Sequence, residues 1–80
     1  MGLAKTESEI AERASRYLKA ELKRANVTYE DLAERLKGHG LKGETVDSIK
    51  AKLKRGTFPA TFLIAALVAI GAETVKLEDI

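Results

Sequence analysis

The residues best suited to chemistry are cations. Residues 42–56 carry five bases, Lys42, Lys50, Lys52, Lys54 and Arg55, against two acids, Glu44 and Asp47. Ammonium and guanidinium groups at this density suit phosphate oxygens, and a guanidinium also matches the paired acceptors on a guanine edge. Thr45 and Ser48 add hydroxyls that can reach phosphates or bases. The candidate DNA-contacting set is therefore Lys42, Thr45, Ser48, Lys50, Lys52, Lys54 and Arg55. Catalysis has less to draw on. With no Cys and a single His, neither a thiolate nucleophile nor a structural zinc site can be assembled. The twelve carboxylates lie in charged stretches or near a terminus, away from the apolar settings that make a carboxyl group a useful general acid or base. The expectation is no enzyme activity, no metal and no cofactor.

Eighty residues allow one small core, so residues 1–80 are expected to form one domain. An apolar share of 45% with 32% charged residues suits a folded, helix-rich chain rather than a disordered one. The apolar run over residues 58–72 is interrupted by Pro59, Thr61 and Gly71. It falls short of the roughly 20 residues that cross a bilayer, which predicts a core helix and no membrane association. The first ten residues are polar after Leu3, so no signal peptide is expected and the cytoplasm is the natural setting. Net charge is +2, but the basic excess sits in residues 1–27 and 42–56, and residues 57–80 hold three acids and one base.

Four helices are expected to position these groups, over about 7–25, 29–37, 44–54 and 59–70. Thr6 and Glu9 have the spacing of a capping box, and Ile10, Ala14, Tyr17, Leu18, Leu22 and Ala25 follow at steps of three and four. Asn26 can adopt the left-handed conformation that ends this helix, and Thr28 with Asp31 opens the next, whose inner residues are Leu32, Ala33 and Leu36. The glycines at 38, 40 and 43 mark a loop, in which His39 reads as an exposed residue. Gly56 stops the third helix, Pro59 suits the first turn of the fourth, and Gly71 suits a left-handed cap after it. Residues 73–80 alternate in a way that fits a short strand or a last turn of helix.

On the third helix, Val46, Ile49 and Leu53 form the inner stripe, and Glu44, Ser48, Ala51 and Arg55 lie opposite. Thr45 and Lys52 flank one side; Asp47, Lys50 and Lys54 flank the other. Small Ser48 and Ala51 would permit close approach to a duplex. Glu44 and Asp47 suit the positive end of the helix but would oppose a polyanion. A solvated basic face and a surface for an acidic protein partner remain as other readings. In the first helix, Glu9 with Arg13 and Glu12 with Arg16 are spaced for ion pairs, leaving Lys19, Lys23 and Arg24 as ordinary helix surface or as an extension of the electrostatic footprint.

Tyr29-Glu30-Asp31-Leu32-Ala33-Glu34-Arg35-Leu36, then Lys52-Leu53-Lys54-Arg55-Gly56-Thr57-Phe58-Pro59, then residues 63–71 and Leu77-Glu78-Asp79-Ile80, resemble the phage-repressor and Cro type of helix-turn-helix family. The resemblance covers about residues 20–80. The chain is also similar to a family of small uncharacterised bacterial helix-turn-helix-like domains, through Leu18-Lys19-Ala20-Glu21-Leu22-Lys23-Arg24, Val27-Thr28-Tyr29 and Arg55-Gly56-Thr57-Phe58. What the first resemblance implies is a lambda-repressor-like, all-α bundle of four to five short helices, followed by a C-terminal tail that is extended in one of its two readings, whose third helix enters the major groove. Where that family has a turn of about three or four residues, this chain carries Gly38-His39-Gly40-Leu41-Lys42-Gly43.

The fourth helix is apolar around its whole circumference. Phe62, Leu63, Ala66, Leu67 and Ile70 suffice for a core stripe, which leaves Ile64, Ala65, Val68 and Ala69 to be covered by the first helix and the tail or, at Ile64, Ala65 and Val68, by a symmetric dimer contact. A homodimer suits DNA, since two-fold readers present paired recognition helices to half-sites about 34–36 Å apart. The expected function is a small DNA-binding transcriptional regulator; the alternative is a protein-interaction module of the same fold.

Overall fold

Side-chain caps decide where the first three helices begin. The computed structural model describes residues 5–80, so the start of the polar N-terminal stretch, residues 1–4, lies outside the described residues. Helix α1 (Glu7–Arg24) opens on Thr6, whose hydroxyl accepts from the Glu9 N–H. The return arm of the expected capping box is not made, because the Glu9 carboxylate accepts from the Lys5 N–H at 3.4 Å. Helix α2 (Tyr29–Lys37) has the full reciprocal box, with Thr28 and Asp31 each satisfying the other's backbone N–H. Asn26, at φ 58°, turns the chain after α1 as expected, and Val27 N–H then bonds back to Leu22 O at 2.9 Å.

Helix α3 (Val46–Arg55) starts two residues later than the spacing suggests. Thr45 is its N-cap and forms a reciprocal box with Ser48, so Glu44 lies before the helix rather than in its first turn. Helix α4 (Ala60–Ala69) begins after Pro59, which sits outside the helix in extended backbone at φ −60° and ψ 146°. Its C-terminus closes as expected, with Gly71 at φ 83° and the Ala72 N–H bonded to Leu67 O. No strand occurs among the described residues: residues 73–76 have no regular structure and Leu77–Asp79 is one turn of 3-10 helix. Among the described residues no helix is long and apolar enough to cross a membrane.

The protein is thus an all-α bundle of four helices. Its core is aliphatic apart from Phe62, built on Leu18, Leu22, Leu32, Leu36, Ile49, Leu53, Phe62, Ala66 and Leu67. α3 packs against both α1 and α2, and α4 against α2 and α1. The inner stripe of α1 keeps the expected Leu18 and Leu22 but begins on Ala11 and Ser15 rather than on Ile10, which is 56% exposed. The reason is steric. Small residues at 11 and 15 let the end of α3 approach the α1 backbone, which Ile10 and Tyr17 would hold away.

Two contacts fasten this crossing. Gly56 ends α3 at φ 74°, and a Cβ there would stand 2.4 Å from the carbonyl oxygen of Ala11. Only glycine meets both demands. The buried Ser15 hydroxyl donates to Leu53 O, giving one of the unpaired carbonyls of the last turn of α3 a partner from α1. At α4 the equivalent service comes from α2, where the Arg35 guanidinium donates to Ala69 O at 3.0 Å.

Candidate nucleic-acid interface

The α3 cations divide between two flanks that meet different neighbours. On one, Lys52 turns toward α4. Its ammonium lies 3.0 Å from the Glu44 carboxylate and 5.4 Å from the centre of the Phe62 ring, and the two charged side chains are only 19% and 13% exposed. Phe58 packs edge-on against Phe62, with ring centres 5.4 Å apart. Lys52 therefore joins the segment before α3 to α4 through an ion pair and a cation–π contact.

Ser48 belongs to this half as well. Its hydroxyl accepts from the Thr45 N–H at 2.8 Å and lies 2.7 Å from Glu44 Oε1, to which it donates. Three of the expected contact residues, Thr45, Ser48 and Lys52, are thus engaged in starting α3 and holding it in place. Lys42 is exposed in the α2–α3 loop, away from the grooves that α3 forms with α1.

The other flank faces α1 and stays open. Lys50, Lys54 and Arg55 are exposed, as are Ala51 at the crest and Asp47 in the first turn. Beside Lys54 and Arg55 runs a groove of about 810 Å³ between α3 and α1, whose α1 wall includes Ser15, Arg16 and Lys19. Lys50 borders a second groove of about 470 Å³ with Lys19, Lys23 and Thr28. Lys19 lines both. Arg16 is paired with Glu12 at 2.8 Å, as its spacing suggests, and Arg24 with Glu21 at 2.8 Å, which the four-residue rule does not anticipate.

Sequence reasoning leaves Lys19 and Lys23 open between ordinary helix surface and an extension of the electrostatic footprint. Their four-residue step puts them on one side of α1, yet nothing in that step says that α3 is the neighbour. Gly56 and Ser15, which set the crossing, also carried no readable signal: one looks like a helix stop, the other like a polar interruption of an apolar stripe.

On α4, Phe62, Ala66 and Leu67 are buried, and Ile64 and Val68 are 60% and 52% exposed on the far side. Ala65 is half-buried between these two sides. The tail does not lie over Ile64 and Val68. Glu78, Asp79 and Ile80 border a groove on α1 with Arg13, Tyr17 and Arg24. Burial pushes the Tyr17 phenol above its usual pKa; Glu21 and Asp79 reinforce this and Arg24 opposes it. Among the described residues no three of His, Cys, Asp and Glu converge on a point that could hold a metal ion.

Residues 10–75 match the family described as a domain of unknown function, DUF6471, and the chain belongs to that family. Comparison with curated proteins and with solved structures gives no match.

Proposed function

We propose that this member of the DUF6471 family is a DNA-binding regulator of the helix-turn-helix type, holding duplex DNA against the exposed side of α3. The observation that carries it is the charge left on that side once internal pairs are set apart. Glu44 and Lys52 neutralise each other beside α4, so the outward ridge presents Lys50, Lys54 and Arg55 against Asp47 alone. One of the two acids that would repel a duplex is thereby withdrawn. Exposed Ala51 leaves room at the crest for a base edge or a sugar. Phosphate contacts from the lysines supply affinity, and Arg55 is the side chain suited to bidentate contact with guanine. The setting is the cytoplasm, and neither cofactor nor catalytic step is involved.

The active species in this proposal is a homodimer through Ile64, Ala65 and Val68. Ile64 and Val68, four residues apart on one side of α4, leave apolar surface in water that a second copy would cover. Sedimentation at micromolar concentration should give a dimer, and Val68→Asp a monomer of unchanged helix content. The same exposed pair favours a second reading, a module that docks another protein on α4 without binding DNA. Fluorescence anisotropy with random and genomic duplexes decides between them. Binding that weakens steeply with salt, and is lost in a Lys50, Lys54 and Arg55 triple alanine variant, supports the DNA proposal; absence of binding at low salt overturns it.

A further inference from the structure

The cations of α3 do not stand alone. Lys19 and Lys23 rise from α1 across the two grooves that Lys50, Lys54 and Arg55 border on the α3 side. All five are exposed, and none makes an ion pair with a described residue. Lys19 lines both grooves, which makes the row continuous from one groove to the next. The acids that border these grooves are Glu7, Glu12 and Glu30, and Glu12 is already held by Arg16.

We infer that Lys19 and Lys23 belong to the same phosphate-binding surface as Lys50, Lys54 and Arg55, so that a duplex follows the α1–α3 seam rather than resting on α3 alone. The inference rests on the DNA reading above and adds a second element to its footprint. Two features favour it. Each helix offers lysines one turn apart, a step of about 6 Å, so the seam carries a row of charge on either side. Gathering like charges without local partners raises the free energy of the isolated protein, and a polyanion relieves it while releasing its own condensed counterions. The helices under the seam are also fastened to each other, by the Gly56–Ala11 approach and the Ser15–Leu53 bond at the C-terminal end of α3. Little ordering of the backbone is left for binding to accomplish.

The test uses the full chain and duplex DNA, with affinity measured by anisotropy across a range of salt. A Lys19→Ala/Lys23→Ala variant should lower the slope of log affinity against log salt by about two units, equally for random and preferred sequences. Lys19→Arg/Lys23→Arg should restore it. Lys76→Ala, a single-charge change in the tail, should leave it unchanged. If the double alanine variant keeps the parent slope while Lys54→Ala lowers it, the seam is wrong and the α3 reading survives. If Lys76→Ala lowers the slope by as much as either seam lysine, net charge is the cause and the seam fails. If the parent chain binds no duplex at low salt, or binds single-stranded RNA in preference, both fail. Circular dichroism checks that the exposed substitutions leave the helices intact.

Discussion

Lys52 and Lys54 stand two residues apart on α3, on opposite flanks, and do different work. Lys52 is folded inward, paired with Glu44 and laid against Phe62, so its charge is spent on holding α4 beside the segment that starts α3. Lys54 points into water beside a groove whose far wall is α1 and carries another lysine. The α4 flank resembles the inside of a protein, with charge neutralised and aromatics in contact. The α1 flank gathers unneutralised charge on a tightly fastened base. A lysine's type thus says little about its role; what matters is whether the neighbouring element offers an acid and a ring or more cations.

The largest expected effect comes from breaking the α1 flank at its base. Gly56→Ala places a methyl group 2.4 Å from Ala11 O in a left-handed conformation. The backbone penalty of about 1–2 kcal/mol and an overpacking cost of about 1–3 kcal/mol predict a loss of about 2–5 kcal/mol. Thermal or urea unfolding measures it. A loss under 1 kcal/mol would mean that the two helices do not approach so closely.

Ser15→Ala attacks the same base by chemistry rather than bulk. It leaves a carbonyl of the last α3 turn without its partner from α1, for an expected loss of about 1–3 kcal/mol. Ser15→Thr, which keeps the hydroxyl, separates the lost bond from altered packing.

The α4 flank is tested by Lys52→Ala. The pair is neither open to solvent nor fully buried, so the loss should be about 1–2 kcal/mol, between the values for exposed pairs and for buried ones. Arg16→Ala, which breaks an exposed pair of the same charge type, should cost less than about 0.5 kcal/mol. Equal losses for the two would erase the contrast between a structural and a surface cation.

The smallest stability effect belongs to Lys54→Ala, within about 0.5 kcal/mol because the side chain is exposed. Its consequence should appear in DNA binding instead, as a fall of about one unit in the salt slope. Lys52→Ala should leave that slope nearly unchanged, and a change equal to that of Lys54→Ala would place both lysines on the binding surface.

Much of the local structure was legible because it depends on neighbours in the chain. Thr28 and Asp31 formed their box, Asn26 and Gly71 took left-handed backbone, and Leu32, Ala33 and Leu36 turned inward, each determined within a turn or two of helix. The start of α3 differs from the expected residue 44 because Thr45 caps the helix through a box closed by Ser48, which lacks the Glu or Gln that marks such a box in a sequence. The first half of the inner face of α1 differs from the expected one because hydrophobicity favours Ile10 over Ala11 and Ser15, whereas the close helix crossing needs small residues; Leu18 and Leu22 face inward as expected.

The sequence by itself determined four helices, most of their ends, a cysteine-free aliphatic core and a cluster of bases before Gly56. Those features follow from backbone sterics, local hydrogen bonding and the period of apolar residues. Which bases act together was decided only in three dimensions. Helical periodicity fixes the angle of Lys50, Lys52 and Lys54 around α3 but is silent on which helix lies at that angle. The partners are distant in the chain: Ser15 meets Leu53 across 38 residues, and Lys19 and Lys23 border the grooves of α3 where the two helices pack, an approach that Gly56 permits at Ala11. Charge is local to a residue, whereas the field that a ligand meets is the sum over elements that packing brings together.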